Sequence, residues 1–343
     1  MKRKNDAIDN NGEQQKVVKT EYEEKICGSC TFANNYFMEY CEICEAELPK
    51  PLFEARPEAT SSSVSQLDTS VTDGLIELIE FRVKHQAGIR NYRICSPTSH
   101  ISQVQSIEGV HWSCGYRNIQ ILCTSLIQVP QYKQVLFNKD GDIPSIYGIQ
   151  AWIEKAWRDG FDAVGADDLA GPSLNLVGTS HWIGATECAS LLRYFGINAI
   201  VVDFQKNYST EGKSVDVNIQ LFKWIKRYFE IYKQERSMHI PPLYFQHEGH
   251  SRTIIGYEQN NDKQSLLLFD PLSCGTKLKT NLQDNRFWQV SVKRGQHTFQ
   301  DKSYQLVYVP PNAGLLTPEE REIRKLIIGE QSTVVINAAI TGI

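Results

Sequence analysis

The chain contains no run of about eighteen apolar residues, so no membrane-spanning helix is expected. Its first residues, Met1-Lys2-Arg3-Lys4-Asn5-Asp6, lack the apolar stretch of a secretory signal. No internal repeat is visible. Neither sign of charge dominates: 36 Lys and Arg stand against 40 Asp and Glu, a net −4. That balance provides no overall attraction to nucleic acid or to an anionic membrane surface, and neither is expected as a partner. Without a secretion signal, the nine cysteines point to metal binding or catalysis rather than to disulfides. Cytoplasm or nucleus, or both, is the expected location, and Lys2-Arg3-Lys4 reads as a solvated tail more readily than as an import signal.

What the chain does have is an ordinary globular composition. Of its 343 residues 41% are hydrophobic and 22% charged, enough for one large domain or two. Residues 1–22 are polar and mixed in charge, the composition of a disordered tail. Residues 23–49 hold four of the cysteines. Residues 50–72, with Pro51, Pro57 and Thr60-Ser61-Ser62-Ser63, read as a flexible linker. A larger domain over 73–330 follows, and 331–343 form a tail. Within that domain 73–95 is set apart as an accessory helix. Asp73–Gln86 has helical spacing (Leu75, Ile76, Leu78, Ile79, Val83), expected to pack on the domain rather than reach out as an arm.

The first cysteines form two Cys-x-x-Cys pairs, Cys27/Cys30 and Cys41/Cys44, ten residues apart. Each pair presents two thiolates to one ion. Four thiolates fill tetrahedral Zn2+ and leave no open position, so one structural zinc is expected, with none needed for catalysis. So short a segment has little core and depends on the metal to fold. From Cys27 to Pro49 there are four Glu and no Lys or Arg, which disfavours RNA.

The second centre is His111-Trp112-Ser113-Cys114-Gly115-Tyr116-Arg117-Asn118. From Ile119 onward apolar residues recur at helical spacing, which places Cys114 at a helix entrance with Ser113 as N-cap. Helix-start N–H groups lack partners and carry partial positive charge. They favour the thiolate, the nucleophilic form, and can stabilise an oxyanion. Gly115 lets other backbone pass close by. Further helices are expected over Ser145–Asp159, Gly184–Phe195 and Val217–Tyr232, with a buried strand over Ile197–Phe204. Thr317-Pro318-Glu319-Glu320 starts a capped helix.

A nucleophilic thiol needs a base, and the base an orienting group. His250 stands where a loop enters an apolar strand, 136 residues after Cys114. Ser265–Phe269 is a second strand ending in Asp270, and the polar turn between the two predicts a hairpin. If Tyr257 faces Ser265, His250 faces Leu272. Asp270 is then a same-face diagonal neighbour, about 7–8 Å away at Cα. That acid can hold the imidazole in one tautomer. His247 is the runner-up base, while His111 and His181 rank lower. Gln246 is a candidate oxyanion donor.

Two resemblances add to this reading. The cysteine-rich segment resembles the Ran-binding-protein/Npl-type zinc finger. In that family's ubiquitin-binding branch, a Thr-Phe pair follows the second cysteine and an apolar residue lies between the last two. Here these are Thr31, Phe32 and Ile43, although the family's usual Trp is Lys25. From about Ile107 to Lys325 the chain resembles the UfSP-like cysteine peptidases. That likeness is carried by Ser113–Asn118, Trp182–Glu187, Gly249–Thr253 and Leu268–Pro271, and is greatest to the zinc-finger-containing branch that removes ubiquitin. It implies an α/β (α+β) chain with a papain-like peptidase domain after a small zinc ribbon. It also implies Cys114 as nucleophile, His250 as base and Asp270 as orienting acid. Proteases for the ubiquitin-fold modifier carry Asp-Pro-His, whereas Asp270-Pro271-Leu272 leaves His250 as base.

Implied partners are ubiquitin, polyubiquitin and ubiquitinated proteins. Because ubiquitin's tail carries arginines, acids near the cleft are expected. Glu187 comes first, then Asp167 and Asp168. A finger and a cleft on one chain favour polyubiquitin by effective concentration. A protease for another ubiquitin-like modifier and a non-catalytic chain-binding adaptor stay open.

Overall fold

Alternation within the strands sets the architecture. Ile200, Val202 and Phe204 enter one apolar core while Val201 enters another. Leu243 and Phe245 alternate with Tyr244, and Leu306 and Tyr308 with Val307, in the same way. A strand's period of two sends neighbours to opposite faces. When both faces are apolar, both must be covered.

The computed structural model describes residues 25–26, 28–29, 33–34, 46, 71–103, 112–137, 139, 141–205, 216–231, 238–247, 249–261, 263–311 and 313–331. The chain divides into two units, Met1–Val64 and Ser65–Ile343. In the first, β1 (Lys25–Ile26) pairs antiparallel with β2 (Ala33–Asn34). The expected zinc ligands Cys27, Cys30, Cys41 and Cys44 lie outside the described residues, as do Thr31, Phe32 and Ile43.

The second unit begins with β3 (Val71–Thr72), α1 (Leu75–Lys84), β4 (Ile89–Ile94) and β5 (His100–Ile101). Next come α2 (Cys114–Leu126), α3 (Pro130–Lys133), α4 (Ile146–Arg158), α5 (Ala163–Ala170) and α6 (Ala185–Tyr194). Then follow β6 (Ile200–Gln205), α7 (Val217–Ile231), β7 (Leu243–His247), β8 (His250–Asn260) and β9 (Lys263–Phe269). The chain continues through α8 (Gly275–Gln283), α9 (Trp288–Val292), β10 (Lys293–Gly295), β11 (Ser303–Tyr308), α10 (Pro318–Ile323) and β12 (Glu330–Gln331). Among the described residues no helix is long and apolar enough to cross a membrane.

Eight strands form one sheet in the order β10-β9-β8-β7-β11-β6-β12, with β4 also on β8. All pairings are antiparallel except β12 with β6. One edge of β8 is shared: β7 takes His250–Ile254 and β4 takes Gly256–Asn260. Helices α1, α7 and α8 fill the core on one face, and α2, α4 and α6 fill the other. Helix α1 buries Leu75, Ile76, Ile79 and Val83 and so packs on the sheet. Val71 and Thr72, the last two residues of the expected linker, pair with β5. The architecture is the mixed helix-and-sheet arrangement of a papain-like domain, with the Cys114 helix laid across the strand that starts at His250.

Candidate active site

Helix α2 begins at Cys114. Ser113 precedes it, but with φ −87° and ψ 0° its backbone is already helical and its side chain makes no cap hydrogen bond. An N-cap side chain reaches the N2 or N3 amide from extended backbone, so the expected cap does not form. The first i→i−4 hydrogen bond is from Arg117 N–H to the Ser113 carbonyl at 3.0 Å, which leaves the Cys114, Gly115 and Tyr116 amides without intrahelical partners. A Cβ on Gly115 would stand 2.7 Å from the Ile183 carbonyl oxygen, so glycine is what admits that segment. Next to His250, Gly249 has φ +71° and a Cβ there would lie 3.6 Å from the Trp182 ring. The Trp182-Ile183 dipeptide thus passes beside both glycines that adjoin the thiol and the imidazole.

The base and the acid come from the β8–β9 hairpin. Near its turn Tyr257 pairs with Leu266, one residue away from the expected Ser265. A β-bulge between Ile254 and Gly256 takes up that residue, and beyond it Thr253 pairs with Phe269. Register at the open end is therefore the expected one, with Asp270 on the face of His250. His250 Nε2–H donates to Asp270 Oδ1 at 3.0 Å. The other ring nitrogen, Nδ1, is then the one left for Cys114, to which His250 is hydrogen-bonded.

The carboxylate is fully used. Its Oδ1 also accepts the Leu272 amide at 3.1 Å, and Oδ2 accepts Arg252 Nε–H at 2.7 Å. His100, buried behind it, meets the Asp270 carbonyl through Nε2 at 3.1 Å. Burial pushes the Asp270 carboxyl up, but the charges and hydrogen bonds of His250 and Arg252 win and hold it well below the usual carboxylate range. Burial likewise disfavours charged His250, yet its bonds to Asp270 and Cys114 raise it to about 9. At Cys114 burial opposes the thiolate, while hydrogen bonds from His250 and Ser251 outweigh it and lower the thiol below its ordinary value. Cys123, on the same helix, shows what burial does without such partners: its thiol is pushed up to about 12. The arrangement suits a thiolate–imidazolium pair backed by an acid.

Asn118 fixes the distance between helix and strand. Its Nδ2 donates to the Cys114 carbonyl at 2.8 Å and to Ser251 Oγ at 3.1 Å, and its Oδ1 accepts Thr253 Oγ–H at 2.7 Å. Asn118, Ser251, Thr253 and His100 are all buried polar residues that sequence reasoning did not single out. The readable signal was spacing: Asn118 lies one turn after Cys114, while Ser251 and Thr253 alternate with His250 and Arg252.

The remaining expected residues are placed as follows. Gln246 Nε2 donates to the His247 carbonyl at 3.0 Å and Oε1 accepts from Tyr244, so its amide protons face its own strand end. Glu187, the first acid expected near the cleft, is only 6% exposed. It is the third residue of α6, where its carboxylate accepts the Gly184 amide at 2.6 Å and the Thr186 hydroxyl at 2.9 Å. Burial raises its pKa, with those two donors only partly offsetting the rise. The acid expected to greet arginines is a helix cap. Asp167 and Asp168 are exposed on α5, and His181 is exposed. His111 lies outside the described residues. His247 faces Asp301 and Arg252, with its pKa lowered to about 4 by burial and by the charges of Arg252 and His250. A neutral, doubly engaged imidazole is not poised as the base.

Residues 89–307, well over half of the chain, match the model of Peptidase family C78. A "Zinc finger-containing ubiquitin peptidase 1" of Macaca fascicularis is 35% identical over 266 residues, 74% of this chain and 43% of that protein. The human protein of that name is 34% identical over the same coverage. The chain thus spans under half the length of these relatives. "Ubiquitin carboxyl-terminal hydrolase mug105" of Schizosaccharomyces pombe is 33% identical over 160 residues, 47% of this chain and 59% of that one. Among solved structures, the crystal structure of UfSP from C. elegans overlaps 72% of this chain and 38% of its own, at 14% identity and a TM-score of 0.47. With its thiol, imidazole and carboxylate joined in series, the chain belongs to peptidase family C78, a family of cysteine peptidases.

Proposed function

We propose that this chain is a deubiquitinase that hydrolyses the bond after ubiquitin's C-terminal glycine. The observation that carries the reading is the series Cys114, His250, Asp270, in which the thiol stands at a helix start, bonded to an imidazole that is itself held by the acid at 3.0 Å. The relatives named ubiquitin peptidase and ubiquitin hydrolase supply the substrate class. The Cys114 thiolate attacks the glycine carbonyl carbon. The oxyanion that forms is stabilised by the amides at the start of α2, which have no intrahelical partner, and Gln246 supplies a further N–H if its amide turns from the His247 carbonyl. Collapse breaks the C–N bond, and the amine leaves with the proton of His250. Water then gives a proton to His250 and attacks the thioester, which restores the thiolate and releases the carboxylate. Asp270 holds the imidazolium in place through both proton transfers.

The N-terminal unit is proposed to bind one structural zinc through Cys27, Cys30, Cys41 and Cys44. Supporting this, β1 and β2 flank the first pair and Gly28-Ser29 form a turn between Cys27 and Cys30. Thr31, Phe32 and Ile43 would give a second, weak ubiquitin contact, which favours polyubiquitin and ubiquitinated proteins in the cytoplasm or nucleus.

The test is labelling by a ubiquitin probe with a C-terminal electrophile, beside one made from the ubiquitin-fold modifier. Adduct with ubiquitin alone, lost in Cys114→Ala and strongly slowed in His250→Ala, is the expected result. Reaction with the modifier probe alone would overturn the substrate, and reaction with neither would overturn the enzyme.

A further inference from the structure

The mechanism uses one oxygen of Asp270; the other is held by a chain of groups that runs away from the site. Arg252 Nε–H donates to Asp270 Oδ2 at 2.7 Å. Its Nη1 is hydrogen-bonded to His247 Nε2, and His247 Nδ1 meets Asp301 Oδ2 at 3.2 Å. Because an arginine only donates, His247 Nε2 accepts, and Nδ1 carries the proton given to Asp301. The series reads Asp301, His247, Arg252, Asp270, His250, Cys114. Each link is side chain to side chain, and the side chains of Asp270, His250 and His247 are 8%, 15% and 16% exposed. These groups come from five places: the start of α2, β7, β8, the residue after β9 and the residues before β11.

We propose that Arg252, seated on His247 and through it on Asp301, is a positioning residue for the Cys114–His250 pair. It holds the second oxygen of Asp270 and limits how strongly that acid draws on the imidazole. The inference rests on the reading of Cys114 and His250 as nucleophile and base. Without Arg252 the carboxylate would keep only the partners of Oδ1, His250 and the Leu272 amide, and could swing its full charge onto His250. The imidazolium would then hold its proton too tightly to protonate a leaving amine well. A fixed cation on the far oxygen opposes both effects: it pins the carboxylate plane and repels a proton on His250. His247, which was the second choice as base, thereby gains a role as a neutral acceptor that aims the guanidinium.

Other ionisable groups face this cluster. Cys114 approaches from α2 and Tyr244 from β7, where its hydroxyl is directed to Gln246 and Ser251. Arg294 on β10 acts on both Arg252 and Asp270. His100 on β5 meets the Asp270 carbonyl rather than its carboxylate and stays neutral, its pKa lowered by burial to about 4. Arg294 donates to the Val290 and Lys293 carbonyls rather than to Asp270, so it does not replace Arg252.

The test measures alkylation of Cys114 by iodoacetamide against pH, read on the Cys114 peptide by mass spectrometry so that exposed Cys274 does not interfere. It is paired with the pH profile of kcat/KM on a fluorogenic ubiquitin C-terminal substrate. In the wild type the alkaline inflection, where His250 gives up its proton, is expected near 9. Arg252→Met should move it up by roughly one pH unit and lower kcat/KM about tenfold. Arg252→Lys keeps the charge without the two-pronged geometry, so it should restore the inflection but not the full rate. His247→Leu, which leaves Arg252 in place but unseated, should shift the inflection the same way by less. His247→Gln, which retains an acceptor, should not. A folded Arg252→Met or His247→Leu variant that inflects where the wild type does would overturn the proposal, even if slower. If Arg252→Met fails to fold, His247→Leu decides. Wild type that never turns over the ubiquitin substrate sinks the substrate reading instead, while the alkylation profiles still judge Arg252.

Discussion

Asp270 after β9 and Glu187 at the start of α6 are both buried carboxylates, and burial drives both toward the neutral form. They end on opposite sides of their ordinary values. Asp270 has two cationic partners, His250 and Arg252, and stays ionised. Glu187 has an amide and a hydroxyl, and its pKa rises. At Glu187 two neutral donors do not offset desolvation, whereas at Asp270 two cations more than offset it. Depth therefore does not reveal what a buried acid is for, whereas its partners do: one is set to hold a proton carrier, the other to start a helix.

The contrast breaks most violently at Asp270. Asp270→Asn keeps the shape and removes the charge, and kcat/KM should fall on the order of a thousandfold or more. A loss under tenfold on a fluorogenic ubiquitin substrate would show that the acid is not needed. Asn118→Ala comes next. It strands Thr253, Ser251 and the Cys114 carbonyl in a buried seam, so urea unfolding should record a loss of about 2–4 kcal/mol. Activity should drop with it, because the seam sets the Cys114–His250 distance.

The third prediction concerns pH. His250 is raised to about 9, so its contribution to stability is fully present below its unfolded value of about 6.5 and is lost as pH rises through 9. Asp270 is lowered, so its contribution is present above an unfolded value of about 4 and fades as pH falls below that. The melting-temperature gap between wild type and His250→Gln should be widest near pH 5–6.5. It should close by about pH 10. A gap independent of pH would deny the ion pair.

Glu187→Gln should do least. A raised carboxyl means ionisation costs the native state stability as pH rises, the reverse of Asp270. The amide removes that cost but weakens the cap, for a net change of about 1 kcal/mol or less. Unfolding curves at pH 4 and 7 should show the wild type losing ground to Glu187→Gln at the higher pH. A hundredfold loss of kcat/KM in a folded variant would mean that the carboxylate meets substrate after all.

The grouping of Cys114, His250 and Asp270 was legible in the sequence because it rides on local pattern. A cysteine before a helical repeat, a histidine at a strand entrance and an aspartate at a strand exit are each visible in a few residues. The capping contact of Glu187 was missed because it was judged by charge alone, while Gly184-Ala185-Thr186-Glu187 also spells a helix start. The hairpin's bulge was not legible, because what pins it is remote: the Ile255 carbonyl accepts the Cys95 amide at 2.8 Å, across 160 residues of chain. The place of β11 between β7 and β6 was hidden for the same reason. Arg252 looked like any exposed charge until Asp270, His247 and Asp301 were brought around it.

That bulge gives the hairpin a change of register at a fixed place. From Gly256 to Leu267 the two strands count by one rule, and from Ile254 to Phe269 by another offset by one residue. The tip beyond Asn260 is therefore geared separately from the end that carries His250 and Asp270. A slip of one residue at the tip can be absorbed at Ile255 and never reach the imidazole. Straightening the strand at Ile255 without any change at the tip would do the opposite. It would turn His250 and Asp270 to opposite faces, leaving every residue of the triad in the chain and no triad in the protein.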